Sequence, residues 1–520
     1  MSRQDPSSPV QFRRLRRFCR WTCRLVKVTV LLAIIVGIVY VIWTNHRGDK
    51  AARAMINQLA ARGIPGESRP WVPDVDNGAR FYLAAMKLLV LPKDLESKLP
   101  VVGWAEWPQF GEGFTEAQAD VLREAAGRNT EALDLARAAQ SMPRFSFEMN
   151  PVANQSRTLT ELGQCRNLAK WLELHSLHSQ AQSNGQGAAD DCLAIFHISS
   201  SLKNEHYLVV FLVRMSINAL ASWMIEDLLS RCVIDEASLK ALGTALHKAS
   251  RSYNYAQVLR GELRTAVLIL SDPTSALIQA ECSQQQMAMV MLDAFSEYAG
   301  GDQESENRTL LAYSTGERIA NSANHVIAAL CPGQMQLAGA QTLSDPLNFF
   351  DQIADPTTDP QALLALSKRK TDQGDLFNAL TSALENQLRA ISTLTSAEVA
   401  LEVELFRLRT GRWPSQVSEA VDTIPLDAYG HEIQMHSHDR GIRVYSIGAN
   451  GVDENGRNRD DTGNLSDDED DLTFRLLDLE ERNQTPTITT VTGKSPDESL
   501  QDLLREFRAP RDRTDNSSND

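Results

Sequence analysis

The chain has 520 residues and a net charge of −15, which argues against the basic surface that general nucleic-acid binding requires. Apolar residues make up 42% of the chain and charged residues 23%, as in proteins that fold around a core. Aromatic residues account for only 6%, and this balance favours helices over a large β-sandwich.

Residues 25–44 predict a transmembrane helix. Val28–Trp43 contains no charged side chain, and two further apolar residues precede Lys27. A spanning helix needs about 20 apolar residues, and the long side chain of Lys27 can reach the membrane interface. A cleaved secretory signal is the alternative, but its apolar region is shorter and ends at a small-residue site. This segment ends in Val-Ile-Trp-Thr-Asn, so we expect an uncleaved anchor.

Basic residues flank this segment unequally. Only Arg47, Lys50 and Arg53 follow it closely, whereas the preceding arm is rich in them: Arg3, Arg13, Arg14, Arg16, Arg17, Arg20, Arg24 and Lys27. Cytoplasmic flanks carry the excess of Lys and Arg, so we expect residues 1–24 in the cytoplasm of a bacterium and the bulk of the chain beyond its inner membrane, in the periplasm. A basic arm beside a span favours contact with anionic lipids.

Residues 45–344 predict an irregular array of helical hairpins. Apolar residues recur at a rough spacing of three to four in Thr158–Gln182. His206–Arg231 reads as a long apolar helix and Tyr253–Leu270 as another, and Thr115 opens a further helix with a capping-box pattern. Polar turns separate these helices. No fixed period is present, so we expect an individual helical domain rather than a member of a tetratricopeptide repeat family.

One of these helices is apolar enough to suggest a second span. Its most apolar stretch is Tyr207–Val213, but Arg214 interrupts the stretch and Glu226 follows. Charged side chains are costly inside a bilayer. The pattern therefore predicts a buried core helix.

Beyond residue 344 the pattern changes twice. Residues 345–374 are rich in turn-forming residues and predict a linker. Asp375–Thr410 then reads as one long helix with a continuous apolar stripe. Past it the apolar period falls from 3.6 to 2, and His431–His436 with Gly441–Ile447 predict an antiparallel hairpin. The fold class is thus mainly α, with a small α+β module at residues 375–482.

The segment after the second predicted strand is strongly acidic. Asn450 and Asp453 open it, and Asp470 and Asp471 close it. Their oxygens suit Ca²⁺, although the spacing does not fit an EF-hand. A solvated acidic loop is the alternative. The tail at 483–520 is polar and acidic and predicts disorder.

Three short motifs occur in order before this acidic segment: Gly411, Trp413 and Pro414; then Pro425, Asp427 and Gly430; then Tyr445, Ser446, Gly448, Ala449 and Gly451. Together with the acidic close, this order resembles the C-terminal half of the major pseudopilins of type II secretion systems. The resemblance covers about residues 401–474. We expect it to be attached here to a large helical membrane protein, because the N-terminus shows no pseudopilin processing site and the apolar span has no Glu at its fifth position.

The resemblance implies a calcium ion that orders the loop after the Tyr-Ser strand. Asn450 stands where the family has Asp, and Asp470 or Asp471 stands at the closing acidic position. Asp453 lies nearby without a clear match to the motif. We take Asn450, Asp453, Asp470 and Asp471 as the candidate calcium ligands.

No catalytic motif stands out. The phosphate-binding loop, G-x-S-x-G and G-x-G-x-x-G patterns are absent. Two groups contain side-chain types that bind metals. Glu173, His175 and His178 do not follow the H-E-x-x-H order and have no obvious further ligand. His436, His438 and Asp439 fall in a predicted hairpin turn, where polar residues are expected. We expect no enzyme, but a single-pass structural or interaction protein of the envelope or its secretion machinery, with a protein partner. The alternative is a membrane-tethered hydrolase or binding receptor with its site in the helical domain.

Overall fold

A computed structural model describes most of the chain before residue 272 and much of the C-terminal region. The described residues are 9–64, 72–105, 109–147, 149, 155–271, 336–337, 340–341, 343–353, 365, 375–457 and 471–486. Within them the protein is mostly helical with one small antiparallel sheet. This confirms the prediction of a mainly α protein that carries a small C-terminal sheet.

The described helices fall into a long N-terminal helix, a group of shorter helices and a long C-terminal helix. In chain order they are α1 Pro9–Ala61, α2 Ala79–Leu88, α3 Glu116–Arg128, α4 Thr130–Ala138, α5 Gln155–Ala181, α6 Gly185–Ser201, α7 Leu208–Arg231, α8 Glu236–Ser250, α9 Tyr255–Ser271, α10 Ser344–Ile353 and α11 Asp375–Thr410. The first helix continues without a break from the predicted anchor into the body, as far as Ala61. Helix α10 lies within the segment predicted as a linker.

Several helix ends follow from local side-chain chemistry. The hydroxyl of Thr115 accepts a hydrogen bond from the Gln118 backbone N–H, and the Gln118 side-chain oxygen accepts one from the Thr115 backbone N–H. This is the predicted capping box at the start of α3. Asp235 caps α8 through the backbone N–H of Ser238 at 2.8 Å. These caps satisfy backbone donors that a helix start leaves without a partner.

Helices α5, α6 and α7 pack in sequence against one another, and α8 packs on α6. Helix α7 sits in the middle of this body. Among the described residues, α7 is the one helix that is long and apolar enough to cross a membrane. Of its most apolar 18 residues, 94% are buried inside the protein. The prediction of a buried core helix is therefore confirmed. Within the body, Cys165, Cys192 and Cys232 are buried free thiols.

The sheet lies at the C-terminal end of the described chain. Its strands are β1 Gln434–His438, β2 Gly441–Ser446 and β3 Leu472–Leu477, in the order β1-β2-β3. Both pairings are antiparallel, with Met435 and Phe474 opposite Val444 on its two sides. The predicted hairpin is thus present, and β3 joins it as a third strand that the sequence analysis did not include.

Helix α11 connects the sheet to the helical body. It packs against α7 and α8 and also against β2 and β3. One hydrophobic core runs from Leu59 of α1 through Leu228 of α7 and Leu394 of α11 to Leu476 of β3. The α+β module therefore shares its core with the helices that precede it in the sequence.

The Gly261-Glu262 pair inside α9 has a structural explanation. A Cβ at Gly261 would lie 1.6 Å from the carbonyl oxygen of His206, so only glycine permits this approach. The Glu262 carboxylate accepts a 2.6 Å hydrogen bond from the backbone N–H of Leu208, the first residue of α7. Burial raises the pKa of Glu262. The pair thus fixes the start of α7 against α9.

Candidate functional site

The second and third sequence motifs meet at Asp427. Its Oδ1 accepts hydrogen bonds from the backbone N–H groups of Tyr429 and His431, at 2.9 and 2.8 Å. Its Oδ2 accepts one from the hydroxyl of Ser446, at 2.5 Å. The Ser446 hydroxyl in turn accepts the backbone N–H of Gly448 at 3.1 Å. Asp427 and Ser446 are both buried, so this contact sets where the chain leaves β2.

The loop after β2 is held in a tight conformation by its own side chains. Asn450 Oδ1 accepts the backbone N–H of Val452 at 2.9 Å. Asp453 Oδ1 accepts the Tyr445 hydroxyl at 2.9 Å and the backbone N–H of Asn455 at 2.8 Å. Asn455 has a φ of 61°, a left-handed conformation that asparagine tolerates better than most residues. The loop therefore turns back toward β3.

Asp471, immediately before β3, closes the loop. Its Oδ2 accepts the backbone N–H groups of Gly456 at 2.7 Å and Glu454 at 3.1 Å. Its Oδ1 is buried and accepts no hydrogen bond from any described residue, and the same is true of Oε2 of Glu454. Two carboxylates thus lie close together, each with one buried oxygen that no described protein group satisfies.

The environment of Asp471 favours its neutral form. Burial, opposed by the Gly456 N–H and reinforced by the nearby carboxylates of Glu454 and Asp453, raises the pKa of Asp471 to about 7. Burial and like charges both penalise an ionised carboxylate. A cation placed between these carboxylates would reverse that penalty.

The predicted ligands are brought together in part. Asp453 lies near enough to Asp471 for its charge to raise the pKa of Asp471, and Asn450 Nδ2 donates to Glu454 Oε1 at 3.3 Å. Asp470 lies outside the described residues. The sequence analysis missed Glu454, although its position next to Asp453 in an acidic loop was a usable signal. Among described residues no group of three His, Cys, Asp or Glu side chains has metal-binding geometry.

The donor types at the loop, as distinct from their arrangement, are those that a hard cation takes. Ca²⁺ binds six to eight oxygens from carboxylates, amides, backbone carbonyls and water. Asp471 Oδ1 and Glu454 Oε2 supply two buried carboxylate oxygens without partners, and Asp453 adds a third carboxylate beside them. Residues 458–470, which contain further acidic side chains, connect Glu454 to Asp471 but lie outside the described part of the chain.

The histidines of α5 form a structural cluster. Asp191 of α6 is fully buried, and its carboxylate binds His175 Nδ1 at 2.6 Å and Arg137 Nη2 at 2.6 Å. The His178 ring stands edge-on to His175, and burial lowers the pKa of His178. The cluster joins α4, α5 and α6. Neither it nor the His438 region of β1 has metal-binding geometry within the described residues.

Comparisons with protein-family models, with curated proteins and with solved structures gave no match for this chain.

Proposed function

We propose that this protein is a single-pass, membrane-anchored structural or interaction protein of the bacterial envelope. In this proposal residues 25–44 form the anchor and the helical body with its α+β module lies in the periplasm. The body presents surfaces to a protein partner. Calcium closes the C-terminal loop.

The observation that carries the anchor is the contrast between two parts of α1. Apolar side chains in its middle are each at least half exposed: Leu32, Ile35, Val36, Ile38, Val39, Tyr40, Ile42 and Trp43. Further along the same helix, Ala52, Met55 and Leu59 are buried in the core. A continuous exposed apolar surface is unfavourable in water, whereas a bilayer would cover it.

The flanking residues support the proposed orientation. The arm before the apolar stretch is strongly basic, and the body that follows belongs to an acidic chain. The guanidinium of Arg47 lies 4.7 Å from the centre of the Trp43 ring, an arrangement suited to the interface, where Trp and Arg are common. Excess Lys and Arg on the N-terminal side favours a cytoplasmic N-terminus.

The calcium part of the proposal rests on the buried oxygens of Asp471 and Glu454 that have no partner. A bound ion would satisfy both and would offset the repulsion between the two carboxylates. In the proposal Asp453 and Asp471 are ligands, Glu454 joins them, and Asn450 and Asp470 complete the predicted set. The ion's contribution is to hold β2 and β3 together across the acidic segment.

The anchor is tested by placing charge in the apolar stretch. Changing both Val36 and Val39 to Lys should move the full-length protein from the carbonate-washed membrane fraction to the soluble or aggregated fraction, because each Lys costs about 3 kcal/mol at the centre of a span. The matched control changes Val75 and Val233, which are at least as exposed in the body, to Lys, and should leave the protein in the membrane. Membrane retention of the first variant would contradict the proposal.

The alternative function, a membrane-tethered hydrolase or receptor, receives partial support from one observation. The helical body contains a cavity, described below, but none of the residues that line it is Asp or Glu. Hydrolysis by paired carboxylates is therefore not favoured there. Ligand binding by the body is compatible with the proposed structural role.

A further inference from the structure

A cavity of about 330 Å³ lies in the helical body. Residues of α6, α7 and α8 form most of it, with Gln140 after α4 and Ser252 after α8 at its margins. Cavities that bind small molecules range from about 300 to 1,000 Å³, so this one has room for a small organic molecule. It lies far along the chain from the acidic loop, and the proposed function does not use it.

The cavity has a buried polar group without a partner. Asn218 of α7 is 2% exposed, and its Nδ2 donates a 2.7 Å hydrogen bond to the hydroxyl of Tyr253. Its Oδ1 is buried and has no hydrogen-bond partner within the described part of the chain. Leaving a buried acceptor without a donor is unfavourable. Asn218 lines the cavity, so a ligand that carries an N–H or O–H group would satisfy it.

The charges around the cavity are positive. Lys248 lines it and forms no ion pair with any described residue. Arg214 is buried, and its Nη2 donates to the Ser252 hydroxyl at 3.0 Å, which brings a second cation to the cavity margin. His197 also lines the cavity, and burial lowers its pKa, which favours the neutral ring. These groups favour an anion and disfavour an ammonium group.

The remaining surface of the cavity is largely apolar. Phe196 and Leu193 of α6 face it, together with Ala241, Ala245 and Ala249 of α8. The three alanines follow one face of α8 at a spacing of four. Small side chains on one side and a ring on the other leave a slot for an aliphatic or aromatic group.

We infer that this cavity binds a small carboxylate that has a short apolar body and one N–H or O–H donor, as in an N-acylated amino acid. Lys248 attracts the carboxylate, Asn218 Oδ1 accepts the donor, and Phe196 with the α8 alanines encloses the apolar group. The amide N–H of an N-acylated amino acid is a donor without the positive charge of a free amine, which suits a site beside Lys248 and Arg214.

The test measures binding to the full-length protein in detergent micelles by isothermal titration calorimetry. The probes are N-acetyl-alanine, N-acetyl-leucine and N-acetyl-phenylalanine, each compared with its uncharged C-terminal amide. We expect at least one acid to bind saturably, with its amide about tenfold weaker or more because the carboxylate is lost. Absence of saturable binding by all three acids up to about 10 mM, or equal affinity of acid and amide, would overturn the inference.

Three variants locate the binding. Lys248→Gln should weaken the acid about tenfold without changing Tm, because Lys248 is exposed. The matched control is Lys240→Gln, on the same helix but paired with Glu236 outside the cavity, which should bind as the wild type does. Ala241→Phe should fill the slot and abolish binding while the protein stays folded. Binding that survives both Lys248→Gln and Ala241→Phe would place the probe elsewhere and overturn the inference.

Discussion

Glu226 of α7 accepts two hydrogen bonds from Arg475 of β3, from its backbone N at 2.9 Å and from its Nε at 2.7 Å. The two residues are 249 positions apart. The Arg475 guanidinium also lies 4.1 Å from the centre of the Phe110 ring. This pair, in which Glu226 is buried and Arg475 half-buried, binds the sheet to the centre of the helical body.

Removing Glu226 should therefore destabilise the whole protein. In Glu226→Ala the half-buried Arg475 guanidinium loses its 2.7 Å contact with the Glu226 carboxylate and the Arg475 backbone N–H loses its acceptor, so the free energy of unfolding should fall by about 3 kcal/mol. Urea unfolding of the full-length protein in micelles measures this. The control is Asp120→Ala, whose pair with Arg123 is more than half exposed and should cost less than about 1 kcal/mol. Equal losses in the two variants would show that the buried pair contributes little.

Gly261 should tolerate no side chain. In Gly261→Ala the new Cβ would clash with the backbone carbonyl of His206, so α9 or the start of α7 must move and Tm should fall by several degrees. The matched variant is Gly163→Ala in α5, where a Cβ meets nothing within 4 Å. That change should stabilise the protein by about 0.5–1 kcal/mol because alanine favours helices. A Gly261→Ala protein as stable as the wild type would contradict the observed approach of α9 to His206.

Calcium should stabilise the C-terminal loop. Adding Ca²⁺ in excess over its Kd should raise the Tm of the full-length protein by about 3 °C relative to chelator. In Asp471→Asn the calcium effect should disappear, and in chelator this variant should be more stable than the wild type because a buried carboxylate next to Glu454 has been neutralised.

The control for this experiment is Asp439→Asn, which changes an exposed acidic residue in the turn between β1 and β2. It should keep the full response to Ca²⁺. A Tm that is insensitive to both Ca²⁺ and chelator in the wild type would remove the metal from the account, and the loop would then be a solvated acidic segment.

Acid should weaken the packing around His197. Its Nδ1 lies 2.7 Å from the Tyr82 hydroxyl, and burial lowers the pKa of His197 in the folded state. Near pH 6 the unfolded chain therefore binds more protons at His197 than the folded chain does. The stability that neutral His197 contributes is fully present above its unfolded pKa of about 6.5 and is lost as pH falls through its lower folded pKa.

Chemical unfolding between pH 7.5 and pH 5 measures this effect. Tyr82→Phe, which leaves the ring of His197 in place, should lower stability at every pH and retain the loss toward acid. His197→Gln should reduce that loss. If His197→Gln and the wild type lose the same stability over this range, the titration of His197 is not a source of acid sensitivity.

Local signals in the sequence predicted much of the fold. The bounds of α11 follow from Asp375 at its start and from the Thr-Gly-Arg-Trp-Pro stretch beyond its end, where Gly and Pro stop a helix. The capping box at Thr115 and the cap at Asp235 were likewise readable, because each depends on neighbours within three residues.

Features that depend on distant residues were not predictable. Strand β3 is a short segment whose identity as a strand depends on pairing with β2 across the acidic loop. The role of Glu454 depends on its approach to Asp471, and the acceptor of Asn218 becomes significant only when α6 and α8 close the cavity around it. The end of α1 was not predictable from helix propensity alone either, because the helix continues past Trp43 through polar residues to Ala61.

The most direct test of the account is the location of the carboxyl end. Alkaline phosphatase fused after Asp520 should be active in living cells, because it would lie in the periplasm. A green fluorescent protein fused at the same position should be dark, because it would be exported unfolded by the general secretion route. Fluorescence from the second fusion together with an inactive phosphatase would place the body in the cytosol and contradict the proposed membrane arrangement.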